Sequence, residues 1–357
     1  MELVRLGNTE LKVSRISFGG LPIQSTSPGE AEEVVRYAVK RGINFFDTAR
    51  AYRTSEERLG LGLDGFGSRV MVATKTMYKD LDQLAEDFEL SLKLLKRSYI
   101  DLFQFHIVNY KKELKAILDK NGPFNYLEEE QRKGRLRYIG ITSHRPPLML
   151  EAMASGRFAS VQIPLNFIES GPLKKVIPYA RENKVGIIAM KPLAGGVFRN
   201  RQAALRWVLQ HENVVPIPGM CRVSEVDENL CALETPFGPE DLADLRQDQD
   251  ELGLSFCRRC DYCMPCPNDI EASYIVRAGL MFHRSGWDKM ERRDVELFIR
   301  GLSCTGCGEC ASRCPYNLPL TKMVIDESVK LLRKAHTLGL LSTEELEENL
   351  NRLESKN

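Results

Sequence analysis

Short apolar runs alternate with segments of helical periodicity over residues 1–235. Most of the runs are continuous rather than alternating, which is typical of parallel strands that are buried on both faces. Two of the intervening segments, 30–41 and 81–96, repeat apolar residues at the three- and four-residue spacing of an amphipathic helix. We predict eight strands, at residues 14–19, 43–47, 70–74, 100–105, 138–142, 160–165, 186–190 and 214–217.

Eight strand–helix alternations predict an α/β fold, a (β/α)8 TIM barrel, because a doubly wound sheet usually has only about five or six strands. No Gly-x-Gly-x-x-Gly motif follows the first strand, so a Rossmann fold has no support. Residues 3–6 and 11–13 flank Gly7-Asn-Thr9 and predict an N-terminal hairpin. The break at Thr235-Pro-Phe-Gly-Pro239 predicts a boundary between a barrel at 1–235 and a second domain at 236–357.

The second domain is polar, and its apolar residues recur at the spacing of helices. It contains eight of the ten cysteines. We expect it to be small and mostly α-helical. Ser342-Thr-Glu-Glu345 is a capping-box pattern, which predicts the start of a last amphipathic helix. In the barrel, the long segment 111–135 between the fourth and fifth strands predicts a helix–turn–helix.

Length and composition agree with two domains of unequal size. The chain has 357 residues, of which 43% are apolar, and 50 basic residues balance 49 acidic ones. This balance favours neither nucleic acid nor an anionic membrane as a partner. No apolar run approaches the roughly 18 residues of a membrane helix, and the N-terminus lacks the apolar core of a signal peptide. We therefore expect a cytoplasmic protein.

Four polar residues of different types follow three neighbouring predicted strands. Asp47 ends the second strand and Tyr52 lies just beyond it, while Lys75 and His106 stand at the ends of the third and fourth. Because the reacting groups of such barrels lie at the C-terminal ends of the strands, we expect the four side chains to converge. Each also has an ordinary structural alternative: a buried ion pair for Asp47 and Lys75, a rim aromatic for Tyr52 and a core histidine for His106.

These residues carry a family resemblance. The segment Asn44-Phe-Phe-Asp-Thr-Ala-Arg-Ala-Tyr52, followed by Ser55-Glu56, resembles the signature of the aldo-keto reductases. The likeness covers residues 1–235 and continues to Pro216-Ile-Pro-Gly219. It implies hydride transfer between NAD(P)H and a small aldehyde or ketone, or the reverse oxidation of an alcohol. It also implies a catalytic tetrad at Asp47, Tyr52, Lys75 and His106.

The chemistry of carbonyl reduction suits these four side chains. A carbonyl that accepts hydride develops negative charge on its oxygen, to which Tyr52 can donate a proton. A free phenol has a pKa of about 10, and a lysine ammonium beside it lowers that pKa. Asp47 can keep Lys75 charged and fixed, and His106 can orient the carbonyl and stabilise its oxygen.

The resemblance further implies where a nicotinamide cofactor binds. The carboxamide of its ring is expected at the ends of the middle strands, and its adenine end at the start of a helix after the last strand, whose N-terminus suits phosphate. The residues implied for these contacts are Ser143, Gln162, Asn166, Glu228 and Asn229.

The chain departs from the family pattern near the adenine end. Where many members have a lysine and a serine, it has Gly219 and Met220, and Glu225 stands where they have an arginine. A carboxylate repels a 2′-phosphate but accepts hydrogen bonds from ribose hydroxyls. Arg222 is close in sequence and could replace the missing arginine as a partner for a 2′-phosphate. The departure also leaves open a cofactor other than a nicotinamide. Between the two nicotinamides we expect NAD(H) rather than NADP(H), with Gly219 and Glu225 as part of the cofactor site.

Two cysteine runs dominate the second domain. The first is Cys257-x2-Cys260-x2-Cys263-x2-Cys266-Pro267, and the second is Cys304-x2-Cys307-x2-Cys310-x3-Cys314-Pro315. Such clustering after a long cysteine-free stretch indicates a metal site in a reducing compartment rather than a disulfide framework. The second run matches the bacterial ferredoxin pattern, and the first has one residue fewer before its fourth cysteine.

The ferredoxin resemblance implies two [4Fe–4S] clusters with crossed ligands. Three cysteines of each run contact one cluster, and the fourth comes from the other run. The expected sets are Cys257, Cys260, Cys263 and Cys314 for one cluster, and Cys304, Cys307, Cys310 and Cys266 for the other. Structural zinc is the alternative, although zinc usually takes two short cysteine pairs separated by a longer spacer.

Three functions fit the sequence. In the first, the protein is an NAD(P)H-dependent carbonyl reductase whose clusters are structural or regulatory. In the second, the clusters connect a redox partner protein to the barrel site. In the third, the barrel is the docking scaffold of an electron-carrier subunit, which the complete tetrad disfavours. A relay between clusters and hydride normally needs a flavin, and although a barrel can bind its phosphate, the sequence marks no flavin site.

Overall fold

The structure, a computed structural model, describes residues 1–77, 79–252, 257, 263–314 and 316–354. The chain divides into two units, Met1–Arg246 and Gln247–Asn357. The first unit is a β/α barrel and the second is helical.

A parallel eight-stranded sheet forms the barrel, and each strand pairs with the next one along the chain, which confirms the predicted (β/α)8 architecture. The sheet closes where the last strand returns to the first: Ser17 N donates to Pro216 O over 3.0 Å, and Gly19 N donates to Pro218 O over 2.9 Å. The strands are β1 (Leu3–Arg5) and β2 (Lys12–Ser14), which form the predicted hairpin, followed in the barrel by β3 (Phe18–Gly19), β4 (Phe45–Asp47), β5 (Met71–Thr76), β6 (Ile100–Phe105), β7 (Leu136–Thr142), β8 (Ser160–Pro164), β9 (Gly186–Met190) and β10 (Val214–Pro216).

Glycine is required at the seam between β10 and β3. Gly19 and Gly219 form a parallel bridge there. A Cβ on Gly19 would lie 2.7 Å from Ile217 O, and a Cβ on Gly219 would lie 2.8 Å from Pro22 Cγ. A side chain at position 19 would therefore force the two edges of the barrel apart, and one at position 219 would displace the Pro22 ring.

Helices cover the outside of the barrel and follow the predicted periodicity. In α1 (Pro28–Lys40) the buried residues are Ala31, Val34, Val35 and Ala38, at the spacing of one helix face. Two of the other helices, α4 (Lys111–Leu118) and α5 (Pro123–Arg132), form the predicted helix–turn–helix. The full set after α1 is α2 (Ser55–Gly62), α3 (Leu81–Leu94), α4 (Lys111–Leu118), α5 (Pro123–Arg132), α6 (Pro146–Ala154), α7 (Val176–Glu182), α8 (Arg201–Leu209) and α9 (Val223–Leu230), with 3-10 turns at Pro22–Ser25, Gly67–Arg69, Gly171–Lys174 and Cys231–Leu233.

The division between the two units falls inside α10 (Pro239–Leu252) rather than between residues 235 and 236, where the sequence predicted a boundary. The first half of α10 packs on the barrel. Arg206 donates two hydrogen bonds to Asp241, at 2.9 and 2.6 Å, and Leu245 is completely buried. The proline- and glycine-rich break therefore precedes a helix that is anchored to the barrel.

The second unit is mostly α-helical, as predicted, and the residues described in it form no strand. Its core includes Ile275, Phe298 and Leu332, which are fully buried. Ser342 and Glu345 exchange hydrogen bonds of 2.9 and 3.1 Å, so the predicted capping box is present. In the described parts of the chain, no helix has both the length and the apolar character to span a bilayer. The helices are α11 (Ala272–Ser285), α12 (Arg292–Gly301), α13 (Glu309–Ser312), α14 (Leu320–Thr337) and α15 (Thr343–Glu354), with a 3-10 turn at Trp287–Lys289.

Candidate active site

The four side chains of the predicted tetrad meet at one end of the barrel. Asp47 is the last residue of β4, Lys75 lies near the end of β5, His106 directly follows β6, and Tyr52 lies in the loop after β4. Lys75 Nζ lies 2.6 Å from Asp47 Oδ1 and 5.2 Å from the centroid of the Tyr52 ring. The rings of Tyr52 and His106 stand edge to face, with their centroids 5.8 Å apart. The expected convergence of the four residues is thus present.

The Lys75–Asp47 pair is sealed inside the barrel. Lys75 is completely buried and Asp47 is 2% exposed. Lys75 Nζ also donates to Thr48 O over 2.5 Å, and the side-chain amides of Gln104 and Gln162 donate to the Asp47 carboxylate over 3.4 and 3.5 Å. Burial raises the pKa of Asp47 above its ordinary value, while Lys75, Gln162 and Gln104 act in the opposite direction. Each charge of this buried pair therefore needs the other to offset the free-energy cost of its burial.

Gln104 was not among the predicted site residues. It is completely buried in β6, and its amide also donates to Gln162 Oε1 over 2.9 Å. A polar residue inside an apolar strand is the signal that could have found it. The same strand also contains Asp101, which accepts a hydrogen bond from Val72 N over 2.9 Å at the other end of the barrel. The sequence alone could not tell which of the two polar residues faces the site.

Lys79 is a second residue that the sequence did not single out. Its Nζ donates to His106 O over 2.8 Å and to Met77 O over 2.5 Å. Burial lowers the pKa of Lys79 to about 8, although the Glu113 carboxylate acts in the opposite direction. Lys79 thus fixes the main chain of His106 from the loop after β5.

The residues predicted for the carboxamide of a nicotinamide lie together at the ends of β7 and β8. Ser143, Gln162 and Asn166 are all buried, and Ser143 N donates to Gln162 O over 3.1 Å. Asn166 Nδ2 donates to Glu169 Oε2 over 2.8 Å and to Lys191 O over 3.1 Å. Because the Gln162 amide also reaches Asp47, this group adjoins the tetrad.

Glu225 occupies the N-terminus of α9. Its carboxylate accepts hydrogen bonds of 2.8 Å from Cys221 N and from the Arg222 guanidinium. Burial alone would raise the pKa of Glu225, but these two donors outweigh it and lower the pKa below its ordinary value. A fixed negative charge therefore stands at a helix end that would otherwise attract an anion.

The other residues predicted for the far end of the cofactor surround the same helix. Glu228 is exposed and pairs with Arg201 over 3.4 Å. Asn229 is 4% exposed, and Gly219 lies at the barrel seam. The structure thus gathers the predicted cofactor residues into two groups, one at the ends of β7 and β8 and one around α9.

Three of the predicted cluster ligands pack together in the second unit. Cys263 and Cys314 are buried in one apolar cluster, and the partly buried Cys257 packs against it. These are three members of one predicted set, and its fourth member, Cys260, lies outside the described residues. The other cysteines described in the two runs are also free of disulfide bonds.

The other predicted set centres on Cys310, which joins the same apolar cluster. Burial raises the pKa of the Cys310 thiol, and Cys304, Cys307 and Cys266 lie close enough to raise it further, against a main-chain hydrogen bond. Gly306 adopts a left-handed φ of 71°, which lets the chain turn sharply within the second run. Cys266 of the first run therefore lies near Cys310 of the second.

Each run ends in the same local structure. Asp269 N donates to Cys266 O over 3.1 Å, and Asn317 N donates to Cys314 O over 3.2 Å. Asp269 and Asn317 both have a left-handed φ of 52°. A long helix follows each turn after two more residues, α11 in one case and α14 in the other. The second unit is therefore built from two similar cysteine–turn–helix halves.

The family model for the aldo/keto reductases matches residues 15–204, which is more than half of the chain. The chain belongs to the aldo/keto reductase family. A second family model, for a 4Fe-4S dicluster domain, matches residues 256–319. The protein is thus an oxidoreductase of the aldo/keto reductase type with an iron–sulfur domain after its barrel, as the sequence predicted.

Curated proteins that are similar to this reductase include a dehydrogenase and an aldo-keto reductase. An L-galactose dehydrogenase from Arabidopsis thaliana is 28% identical over 303 residues, which cover 71% of this chain and 92% of that protein. A probable aldo-keto reductase from Glycine max is 26% identical over 307 residues, which cover 68% of this chain and 87% of that protein. These relatives agree with the assignment of the barrel to an enzyme family.

Solved aldo-keto reductases share the fold. One from Bacillus halodurans is 23% identical with a TM-score of 0.60, and the match covers 70% of this chain and 96% of that one. One from Klebsiella pneumoniae in complex with NADPH is 21% identical with a TM-score of 0.61, covering 69% and 94%. At these identities the comparison establishes the barrel architecture, and the chemistry of this chain is argued from its own residues.

Proposed function

We propose that this aldo/keto reductase reduces the carbonyl group of a small aldehyde or ketone to an alcohol, or catalyses the reverse oxidation, with Tyr52 as the proton donor. The observation that supports this most directly is the buried Lys75–Asp47 pair beside the rings of Tyr52 and His106. A cation held against a phenol at the end of a barrel strand suits proton transfer to a developing alkoxide.

Each member of the tetrad has a separate task. Tyr52 donates its phenolic proton to the carbonyl oxygen, and the Lys75 ammonium stabilises the phenolate that remains. Asp47 keeps Lys75 charged and in place within the barrel. The His106 side chain orients the carbonyl beside Tyr52 and adds a hydrogen bond to the oxygen as its charge develops.

The residues beside the tetrad fit a nicotinamide ring. A carboxamide both donates and accepts hydrogen bonds, and the buried hydroxyl of Ser143 and the amides of Gln162 and Asn166 do the same. These three residues would hold the ring next to Tyr52, and the residues around α9 would hold the adenine end. When bound, a reduced nicotinamide supplies the hydride.

The function is tested by following the oxidation of NADH and NADPH in anaerobically purified protein with a panel of aldehydes and ketones, and the reverse reaction with alcohols. We expect turnover that depends on the carbonyl compound. Protein with intact clusters that shows no carbonyl- or alcohol-dependent turnover with either nicotinamide would contradict the proposal.

We further propose that NADH is the preferred cofactor, because the Glu225 carboxylate stands at the N-terminus of α9. We expect kcat/KM for NADH to exceed that for NADPH by at least about tenfold, which corresponds to about 1.4 kcal/mol. Glu225→Gln should lower this ratio, because it removes the charge that repels a 2′-phosphate. Glu182→Gln is the matched control, since that carboxylate is exposed at the end of α7 and belongs to neither group of cofactor residues. A wild-type preference for NADPH would reject the role given to Glu225.

The iron–sulfur domain is proposed to hold two [4Fe–4S] clusters with crossed ligands. The observations that support this are the packing of Cys257 and Cys263 with Cys314 of the other run, in an apolar cluster that also contains Cys310, and the closeness of Cys266 to Cys310. Thiolates are the ligands that such clusters take, and each cluster would exchange one electron at a time. Clusters of this kind also suit the reducing environment of the cytoplasm.

Loss of one cluster is expected to leave carbonyl reduction intact. Cys304→Ser should lower the iron content of anaerobically purified protein from about eight atoms to about four, since it removes one ligand of a [4Fe–4S] site. The barrel should still reduce carbonyls with NADH, which is measured beside iron and sulfide analysis. Cys231→Ser, outside both runs, is the control and should keep all of the iron.

Electron relay is the second candidate function, and one observation favours it. Cys307 is exposed, so one side of its cluster would face solvent, where a redox partner protein could approach. Under this function Cys304→Ser would abolish turnover while the barrel stays folded. Turnover of the Cys304→Ser variant therefore distinguishes a reductase whose clusters are structural from one whose clusters carry electrons to the barrel site.

A further inference from the structure

Arg50 connects the loop that carries Tyr52 to two carboxylates outside the tetrad. Its Nη1 donates to Glu56 Oε2 over 2.5 Å, and its Nε donates to Asp87 Oδ1 over 3.2 Å. Glu56 is completely buried and Asp87 is 9% exposed. The two carboxylates hold the pKa of Arg50 above its ordinary value even though burial acts against them.

The same two carboxylates hold the residues on either side of Lys75. Thr74 Oγ1 donates to Glu56 Oε1, and Thr76 Oγ1 donates to Asp87 Oδ2, both over 2.5 Å. Because side chains alternate across a strand, Thr74 and Thr76 face away from the side that Lys75 faces. The Arg50 guanidinium is thus linked through Glu56 to Thr74 and through Asp87 to Thr76, the residues just before and just after Lys75 in β5.

The main chain adds two further links between the loop and β5. Arg50 N donates to Lys75 O over 2.9 Å. In return, Lys75 Nζ donates to Thr48 O over 2.5 Å. The segment from Thr48 to Tyr52 is therefore tied to Lys75 both inside the barrel and on its outer wall.

We propose that Arg50 is a positioning residue that fixes the phenol of Tyr52 relative to the ammonium of Lys75 by clamping the Tyr52 loop to both sides of Lys75. This inference rests on the proposed function, in which Tyr52 donates the proton and Lys75 assists it. Arginine is needed because its planar group donates in two directions at once, whereas a lysine presents one compact charge. The bridge also neutralises part of the charge of two buried carboxylates.

The test compares Arg50→Met with a matched control at the opposite end of the barrel. Arg137 donates to the buried Asp101 over 3.0 Å, so Arg137→Met also removes one arginine from a buried carboxylate but lies away from the tetrad. We expect Arg50→Met to lower kcat by about 10- to 100-fold, since small misplacements of reacting groups have effects of this size. The KM for the nicotinamide should change little.

A pH profile separates positioning from simple loss of stability. With Lys75 less well aligned, the phenol of Tyr52 should titrate at higher pH, so the alkaline limb of kcat for reduction should move to higher pH in Arg50→Met. Arg50→Lys should recover only part of kcat. Arg137→Met should lower the melting temperature and leave kcat and the pH profile as in the wild type.

Two results would overturn the inference or its basis, and they are distinguishable. If Tyr52→Phe is inactive but folded Arg50→Met has wild-type kcat and pH profile, Arg50 has no positioning role. If Tyr52→Phe is fully active, the proposed function itself fails. If Arg50→Met does not fold, Thr76→Val removes the link between Asp87 and β5 while keeping side-chain volume, and the same shift in kcat and pH profile is expected.

Discussion

Tyr52→Phe should lower kcat for carbonyl reduction by about 10²- to 10⁴-fold, the usual contribution of a positioned proton donor. The substitution removes only the hydroxyl group. The aromatic ring can keep its edge-to-face contact with His106 and its position over Lys75. The loss should therefore appear in kcat, with little change in the melting temperature or in the KM for the nicotinamide.

Tyr138→Phe provides the control for this measurement. The Tyr138 hydroxyl accepts a hydrogen bond from Glu10 N over 2.9 Å, in the N-terminal hairpin segment, so the variant removes a phenolic hydroxyl remote from the tetrad. Its kcat should match the wild type. A Tyr52→Phe enzyme that turns over at the wild-type rate would show that another group donates the proton.

Lys75→Met should destabilise the barrel by about 3–5 kcal/mol, because removing one member of a buried ion pair leaves an uncompensated charge. Asp47 would remain in a site where it is only 2% exposed, with the amides of Gln104 and Gln162 as its remaining donors. Denaturant unfolding followed by circular dichroism measures the change. Carbonyl reduction should also be lost, because Tyr52 no longer has a neighbouring cation.

The size of this stability loss should depend on pH in a defined direction. In Lys75→Met, burial without the ammonium raises the folded-state pKa of Asp47 further above its unfolded value of about 3.9. The penalty is complete above the folded-state pKa, shrinks as the pH falls through the range between the two pKa values, and disappears below the unfolded value, where both states are protonated. Adding Asp47→Asn should recover stability at neutral pH. An equal deficit at acid and neutral pH would contradict the assigned source of the effect.

The fold was predictable because the barrel strands are marked directly in the sequence. Residues 100–105 and 186–190 were predicted as strands, and the structure has them as β6 and β9 with identical bounds. The first predicted strand, 14–19, behaves differently. Ser14 pairs with Leu3 in the hairpin, and only Phe18–Gly19 joins the barrel. The pattern of apolar residues could not separate the hairpin strand from the barrel strand, because both halves of the segment are buried.

The candidate site was predictable only where residue type and strand end coincide. Asp47, Lys75 and His106 each stand at the end of an apolar run, so their convergence follows from the barrel itself. The Arg50 bridge could not be found in this way. Its partner Asp87 lies in the middle of α3, at a position that looks like an ordinary polar helix face until the packing against β5 is known.

The seam of the barrel bears on the order in which the chain folds during synthesis. Gly19 and Gly219 form a bridge although nearly the whole barrel sequence lies between them. The sheet therefore cannot close until its last strand has been made. The first cysteine of the cluster runs, Cys257, comes only after that point in the chain. Because domains made first on the ribosome generally fold first, the barrel can be complete before any cluster ligand has to find its metal. Iron–sulfur assembly would then take place on a chain whose reductase half is already folded.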